Sequence, residues 1–261
     1  MGNAAAAGAA GVVVYNNVAG RFDGNLGRAG STIPAVSIAK EDGDRLAGLL
    51  AAGRLEVTLE VDAGKQQLQS QNVVAQAGDG CRVVIGGHYD SVAAGPGAND
   101  NASGTGVVVE LARVMKPVAA AKQLCFVAFG SEELGLWGSR RYVEALAPAE
   151  KTAVVAMINL DMVGVGETWR LFGSDSLSDP ALASAHAAGA VVDGFSGEGR
   201  GSGGGSDHAS FIQAGVPAVF IHRQNDPNYH TPEDKPEFTN PDLLETAGKI
   251  AVELVNRLVS G

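Results

Sequence analysis

The chain has 261 residues and a formal net charge of −10, with no cluster of Lys and Arg, which excludes phosphate-directed nucleic-acid binding. No apolar run reaches the ~20 residues of a membrane-spanning helix. Two cysteines, Cys81 and Cys125, are too few for a disulfide scaffold or a cysteine-based zinc knuckle; both are read as small buried hydrophobes in or beside strands, with a single bridge between them the alternative.

The opening MGNAAAAGAAG lacks the basic region of a signal peptide, and Ala6 stands where a myristoylation motif needs Ser or Thr. It runs directly into a strand at 12–15. A turn-rich loop follows over 17–32, then a strand at 33–38, a short helix at 41–53 and an alternating strand at 55–62. That is too little to enclose a core by itself. The reading is of a first module over 1–65 and a second over 66–261.

The second module alternates strand and helix. Strands are expected at 71–76, 82–87, 123–129, 153–161, 169–173 and 218–222. A helix at 104–115 puts Val107, Val108, Leu111, Val114 and Met115 on one face and is expected to stop at Lys116-Pro117. Others cover 134–146, begin at Asp179-Pro180, cover 207–214, and begin at Asn240-Pro241 with Leu244, Ala247, Ala251, Leu254 and Leu258 inward. The stretch 197–207 is glycine-rich and read as a flexible loop. This order predicts an α/β fold: a mixed, mostly parallel central sheet with helices on both faces, in which ligands sit beyond the carboxyl ends of the strands.

The chemistry-bearing residues fall at those ends. His88 and Asp90 follow 82–87, and Asp100 lies in the next loop. Glu132 and Glu133 follow 123–129, Asp161 follows 153–160, and His230 follows the strand at 218–222. So many carboxylates cannot share a pocket unpaired, because charges ~4 Å apart repel by several kcal/mol at protein-like dielectric. No Lys or Arg occupies these positions, so a divalent metal is the natural counter-charge. Two His with Asp and Glu, and no thiolate, suit a catalytic zinc site; calcium would prefer oxygen ligands throughout. Each piece alone reads as a turn, a cap or a solvated helix start; the force lies in their common placement. His208 is read as structural, His186 as a surface or packed helix residue, Arg200 as a solvated loop charge, and His222 as a pocket neighbour without an assigned role.

The stretches GGHYDSV, PGANDNASGTGVVVELARV, FVAFGSEELGLWGSRRYV, INLDMVG, GSDHASF and YHTPEDK resemble the co-catalytic zinc aminopeptidases of metallopeptidase family twenty-eight, over roughly 71–261. The resemblance implies the zinc-exopeptidase fold, of the phosphorylase/hydrolase-like type, and two zinc ions. His88 and Asp161 would hold one, Glu133 and His230 the other, with Asp100 bridging them ahead of a cis peptide. Glu132 would be the general base, Asp90 the carboxylate that fixes the His88 ring, and Tyr229 the donor to the developing oxyanion. The substrates implied are peptides with a free α-amino group, and secretion is implied by the family alone. Residues 1–65 resemble the later half of a protease-associated domain, an α+β module expected to be truncated at its N-terminal side. A carboxypeptidase of the same family, needing a cation such as Arg140, Arg141, Arg200 or Arg223 near the metals, stays open, as does a non-catalytic binding homologue. Glutaminyl cyclase shares the fold with one zinc, and the complete five-ligand set argues against it. Nothing in the sequence fixes the oligomeric state, and a monomer is compatible with it.

Overall fold

The computed structural model describes residues 1–20, 31–62, 67–197 and 205–259. The chain divides into two compact units, Met1–Leu68 and Gln69–Gly261.

In the first unit a short helix α1 (Gly2–Ala6) precedes strand β1 (Val12–Tyr15). That strand pairs in parallel with β2 (Ala35–Ile38), and helix α2 (Lys40–Ala52) follows. Gly43 of α2 sits directly against the Tyr15 ring, where a Cβ would overlap ring atoms. Among the described residues of this unit no apolar side chain is fully buried. The strand expected at 55–62 does not form: these residues have no ladder partner among those described. Alternation alone does not make a strand when its hydrogen-bonding groups have nothing to pair with.

The second unit runs β3 (Val73–Gln76), β4 (Val83–His88), α3 (Gly104–Lys122), β5 (Leu124–Phe129), α4 (Trp137–Ala145), α5 (Pro148–Ala153), β6 (Ala156–Leu160), β7 (Thr168–Gly173), α6 (Ser178–Ala187), β8 (Val192–Gly197), α7 (His208–Gln213), β9 (Ala218–Gln224) and α8 (Pro241–Val259). The seven strands form one sheet in the order β3-β5-β4-β6-β9-β7-β8. Neighbours β5, β4, β6 and β9 are parallel; β3 is antiparallel to β5 and β7 to β9, while β8 runs parallel to β7.

The central strands are apolar on both sides, as a sheet covered on both faces requires. Ile85, Ile158, Leu160, Leu171 and Ile221 pack with Leu111 of α3, Ala185 of α6 and Leu254 of α8. Val84, Val127, Phe129 and Met157 pack on the opposite face with Val143 of α4 and Phe211 of α7. From β4 the chain crosses to β5 on one side and returns to β6 on the other. A crevice therefore opens above the carboxyl end of β4, at the reversal of strand order.

Four local expectations need correction. Helix α3 does not stop at Lys116-Pro117 but continues to Lys122 with Pro117 inside it. Pro117 is exposed, so the Arg113 carbonyl it leaves unpaired can meet water, and buried Met115 and Ala119 hold the helix to the sheet on either side. Helix α5 was not expected; Pro148 at its first position and the Glu150 side chain, which accepts the Ala147 N–H at 2.6 Å, initiate it. Strand β8 was not expected and reaches Gly197, the first residue of the stretch read as a loop; most of that stretch, including Arg200, lies outside the described residues. Finally, Cys81 and Cys125 are not separate thiols but a disulfide, with Cα atoms 5.5 Å apart and a sequence separation of 44. The turn after β3 brings Cys81 back beside the start of β5, where Arg82 N–H donates to the Gln123 carbonyl at 2.7 Å.

Candidate metal centre

His88 is the last residue of β4 and is 1% exposed. Its Nδ1 donates to the backbone carbonyl of Asp90 at 3.0 Å, which leaves Nε2 to face the crevice. The Thr105 hydroxyl bonds the His88 carbonyl. A Cβ on Gly87 or Gly104 would overlap the Leu160 carbonyl, so glycine at both lets β4, the start of α3 and β6 close on one another here.

The segment 98–103 carries Asp100 over the sheet edge, and the Asp100-Asn101 peptide is cis. Its hold comes from distant residues. The Asp234 carboxylate accepts the N–H of Asn99 at 2.7 Å and of Asp100 at 3.0 Å. The Asn99 side chain accepts from Gly164 and Val165 and donates to Asp226. Asn101 donates to the Leu160 carbonyl and accepts from Gly104 and Met162.

Glu132 and Glu133 follow β5 in a turn whose two leading N–H groups donate to Asp90, at 3.0 and 3.2 Å. The Asp90 carboxylate therefore grips the Glu132–Glu133 backbone. It stands 3.7 Å from His88 Nδ1, farther than the Asp90 carbonyl, so the imidazole is oriented chiefly by the backbone of that residue. Asp161 follows β6. Its Oδ2 accepts from the Ser206 hydroxyl at 2.7 Å, and Ser206 in turn accepts from Asn159. His230 sits at φ 57° with the Tyr229 ring stacked on its own, centroids 3.8 Å apart. Ser131, Met162 and His230 are all non-glycine residues at positive φ, each in or beside this cluster.

The side chains form a chain of contacts. Asp161 Oδ1 lies 3.4 Å from His88 Nε2, which lies 3.2 Å from Asp100 Oδ1. Asp100 Oδ2 lies 3.1 Å from His230 Nε2, which lies 3.2 Å from Glu133 Oε2. Ligand atoms of His88, Glu132 and Asp161 fall within 4.8 Å of one another, as do those of His88, Asp100 and Glu133. Despite these approaches Glu133 Oε1, Asp161 Oδ1 and His230 Nε2 are buried without a hydrogen-bond partner. Buried, convergent acceptors with no donor are what a bound cation satisfies. This donor set of imidazole nitrogens and carboxylate oxygens fits zinc.

The electrostatics are those of a site crowded with negative charge. Burial pushes Glu132 up to about 9, with Asp161, Asp207 and Glu133 adding to it and His88 opposing. Burial and then Asp100 push Glu133 up to about 7. Burial alone would depress the His88 imidazole, but Asp161, Asp100 and Asp90 outweigh it and raise its proton affinity. Asp161 and Asp90 are held below the usual carboxylate range: burial opposes this, and His88 overcomes it.

A cavity of about 390 Å³ opens over these residues. Its remaining wall includes Met162, Phe172, Phe220, His222 and Tyr229. Tyr229 is half exposed, and burial together with Asp100 and Glu133 raises its phenol. His208 is buried with its ring stacked on Phe220 at 4.8 Å, and burial lowers it to about 4, so it is a neutral packing group. His186 is exposed on α6. Of the arginines considered that lie among the described residues, only Arg223 lines the cavity; it stacks over Trp169 at 4.9 Å and donates to the Gly166 carbonyl.

Sequence reasoning missed Asp234, Ser206, Asn99, Asn101 and the fully buried Asp207. Asp207, Ser206 and Asp234 stand inside GSDHASF and YHTPEDK, beside residues that did draw notice. No local pattern announces a side chain whose partner lies from 45 to 135 residues away, as those of Ser206 and Asp234 do.

Residues 72–255 match the model of peptidase family M28, and residues 1–46 match the PA domain. Aminopeptidase YwaD of Bacillus subtilis is 37% identical over 276 residues, covering 98% of this chain and 59% of the relative. Among solved structures, the aminopeptidase from Aneurinibacillus sp. strain AM-1 superposes with a TM-score of 0.80 at 33% identity, over 98% of this chain and 65% of that one. A zinc aminopeptidase from Bacillus subtilis gives 0.74 at 36% identity, over 99% and 66%. The chain thus spans about three fifths to two thirds of the length of these relatives.

Proposed function

The chain belongs to peptidase family M28, and from that membership and the site geometry we propose that it is a zinc aminopeptidase, removing the first residue of peptides with a free α-amino group. The observation that carries the proposal is the contact chain Asp161–His88–Asp100–His230–Glu133, in which Asp161 Oδ1, His230 Nε2 and Glu133 Oε1 are buried without a hydrogen-bond partner, with Glu132 beside it.

In this reading His88 and Asp161 would hold one zinc ion and Glu133 and His230 a second, with Asp100, in contact with both imidazoles, shared between the two positions. When bound, the ions would polarise the scissile carbonyl and ease deprotonation of the attacking water. Glu132 receives the proton of that water and passes it to the leaving amine. Its burial and acidic neighbours suit the task, because they raise its affinity for a proton it must hold between the two transfers. Asp90 keeps Glu132 and Glu133 at fixed positions through their backbone N–H groups. Tyr229, at the cavity wall, is placed to donate to the oxyanion. Glu132 and Asp161 offer carboxylate oxygens to the α-ammonium group of the substrate.

The carboxypeptidase alternative needs a free cation for a substrate carboxylate. Arg223 is already committed to Gly166 and Trp169. Arg141 is paired with Glu144 outside the cavity, Arg140 does not line it, and Arg200 lies outside the described residues. The complete ligand set gives no support to a non-catalytic homologue. The disulfide favours an oxidising compartment, so we place the working protein outside the cytoplasm. No helix among the described residues is long and apolar enough to cross a membrane.

The test is metal analysis of the purified chain together with a panel of aminoacyl-anilides and their N-acetylated counterparts. The reading expects about two zinc equivalents and hydrolysis of the free-amine substrates alone. Hydrolysis confined to the blocked substrates would exclude it.

A further inference from the structure

The contact chain of the site ends at Asp161, and His222 stands against that end: its Nδ1 lies 3.2 Å from the Asp161 carbonyl. A carbonyl only accepts, so Nδ1 carries the ring proton. His222 follows Phe220 by two residues on β9 and so shares its face of the sheet. Its ring centroid is 5.0 Å from that of Phe220 and 6.3 Å from that of Phe172, and the two phenyl rings stack at 5.6 Å. All three rings line the cavity.

The other ring nitrogen of His222 has no assigned use. Imidazole–carboxylate pairs among the described residues are confined to His88 and His230, and the cross-strand partner of His222 on β7 is Arg170, itself a cation. A ring so placed, between two phenyl groups, is neutral, and Nε2 keeps its lone pair. Nε2 makes no hydrogen bond among the described residues. It is also not one of the fully enclosed polar atoms, unlike Nδ1 of His208, which stacks on the same Phe220. It therefore opens on the cavity that the ring lines. The result is an apolar wall with an acceptor fixed in it, oriented before any ligand arrives by the Asp161 carbonyl and the flanking rings. A substrate whose α-ammonium meets the Asp161 carboxylate brings the side chain of its first residue beside this wall.

We propose that His222 determines specificity for the first substrate residue: Phe172 and Phe220 take an aromatic side chain, and His222 Nε2 accepts a hydrogen bond from it, so tyrosine is preferred to phenylalanine. The proposal rests on the aminopeptidase reading. A phenyl ring on this wall gains burial alone and leaves Nε2 facing it without a donor, whereas a phenol gains the same burial and supplies the donor.

The experiment compares kcat/KM of the full zinc-loaded chain for the anilides of tyrosine, phenylalanine and 4-fluorophenylalanine, which differ only at one ring position. The wild type is expected to favour tyrosine about 3–10-fold, the range for one neutral hydrogen bond, with 4-fluorophenylalanine tracking phenylalanine because it has no donor. His222→Phe keeps an aromatic wall and removes the acceptor, and it is expected to bring the tyrosine-to-phenylalanine ratio to about one or below. A merely structural role for His222 would lower both rates together and leave the ratio. Equal hydrolysis of tyrosine and phenylalanine by the wild type, 4-fluorophenylalanine matching tyrosine, or a ratio unchanged in His222→Phe overturns the role of His222 and leaves the aminopeptidase reading standing. Hydrolysis of none of the three, with turnover of their N-acetylated forms, overturns both.

Discussion

Asp90 Oδ1 accepts the backbone N–H of Glu132 at 3.0 Å, while its other oxygen takes the N–H of Glu133 at 3.2 Å. One carboxylate thus positions both the proposed base and a proposed ligand through their main chain. Asp90→Asn replaces one acceptor oxygen by an NH₂ group facing an N–H donor, which breaks one of the two bonds and sets two donors against each other. The expected outcome is a loss of about 10–100-fold in zinc affinity or kcat/KM, the usual cost of removing an outer partner of a metal site. Competition with a chelator and steady-state kinetics check it; a variant with both quantities at wild-type level would remove Asp90 from the mechanism.

Glu132→Gln keeps the shape of the side chain and removes its capacity to carry a proton. Zinc content should stay at the wild-type level, because Glu132 is not among the proposed ligands, while kcat falls about 10²–10⁴-fold. The two measurements separate the roles. Loss of metal from this variant would make Glu132 a ligand, an arrangement its proximity to His88 and Asp161 makes geometrically accessible.

Asp234 does for Asp100 what Asp90 does for Glu132. It is 3% exposed and accepts the N–H groups of Asn99 and Asp100. Asp234→Ala leaves two buried donors without partners, at about 1–3 kcal/mol each. Thermal unfolding should shift down by several degrees in the zinc-free chain. Zinc affinity should fall as well, although Asp234 touches no metal position. A Tm loss with unchanged affinity would assign Asp234 to stability alone.

The contrast between these residues shows what the sequence made legible. His88, Glu132, Glu133 and Asp161 sit at or just past a strand end, and Asp100 and His230 lie in the connections that follow β4 and β9. Strand ends are readable because an apolar run has a definite stop, and a parallel sheet brings such stops to one edge. The mostly parallel direction of the sheet followed from the same alternation; its strand order did not. Asp234, Ser206 and Asn101 act by hydrogen bonds across 134, 45 and 59 residues, and no local period encodes such a pairing. Asp90 is assigned to the His88 ring through the resemblance, and its carboxylate does stand 3.7 Å from that ring; its two bonds to the backbone of the turn after β5 have no sequence signal. The disulfide stands in the sequence only as the alternative reading, for a similar reason. Its partners are close only because β3 turns back beside β5, and the spacing of 44 does not reveal that.

The metal-free chain should lose stability as pH rises. Glu132 is raised from 4.5 to about 9, Glu133 from 4.5 to about 7, and Asp207 from 3.8 to about 7 by burial. Each raised carboxyl binds a proton in the folded chain that the unfolded chain has released, so its contribution is present at low pH and is lost as pH climbs through the folded value. His88, raised above 6.5, has the same sign. His208, lowered from 6.5 to about 4, has the opposite sign, but only below 6.5, where it charges first in the unfolded chain. Between pH of about 6.5 and 9 the carboxyls and His88 act alone. Thermal unfolding in the presence of chelator should therefore show Tm falling across that window, with a shallower fall in Glu132→Gln. A Tm independent of pH there would mean that the carboxylates are already neutralised by something other than protons.

Reduction of the Cys81–Cys125 bond should destabilise the chain without touching the site. The bond closes a segment of 44 residues that contains β4, the 98–103 segment and α3, at the end of the sheet opposite His88. Constraining a loop of that length in the unfolded chain is worth about 4 kcal/mol in the chain-entropy account, and native bonds of this kind typically contribute about 2–4. Cys125 is fully buried against Val84, Val127 and Met157, so Cys125→Ser would add the cost of burying a hydroxyl. Cys81→Ala leaves Cys125 as a buried thiol and is the cleaner variant. It should lower Tm by roughly 4–16 °C, taking a loss of about 2–4 kcal/mol and about 2–4 °C per kcal/mol in a chain of this size. Zinc stoichiometry and KM should remain those of the wild type at 25 °C. Equal unfolding midpoints for oxidised wild type, reduced wild type and Cys81→Ala would show that the bond constrains nothing the folded chain does not already hold.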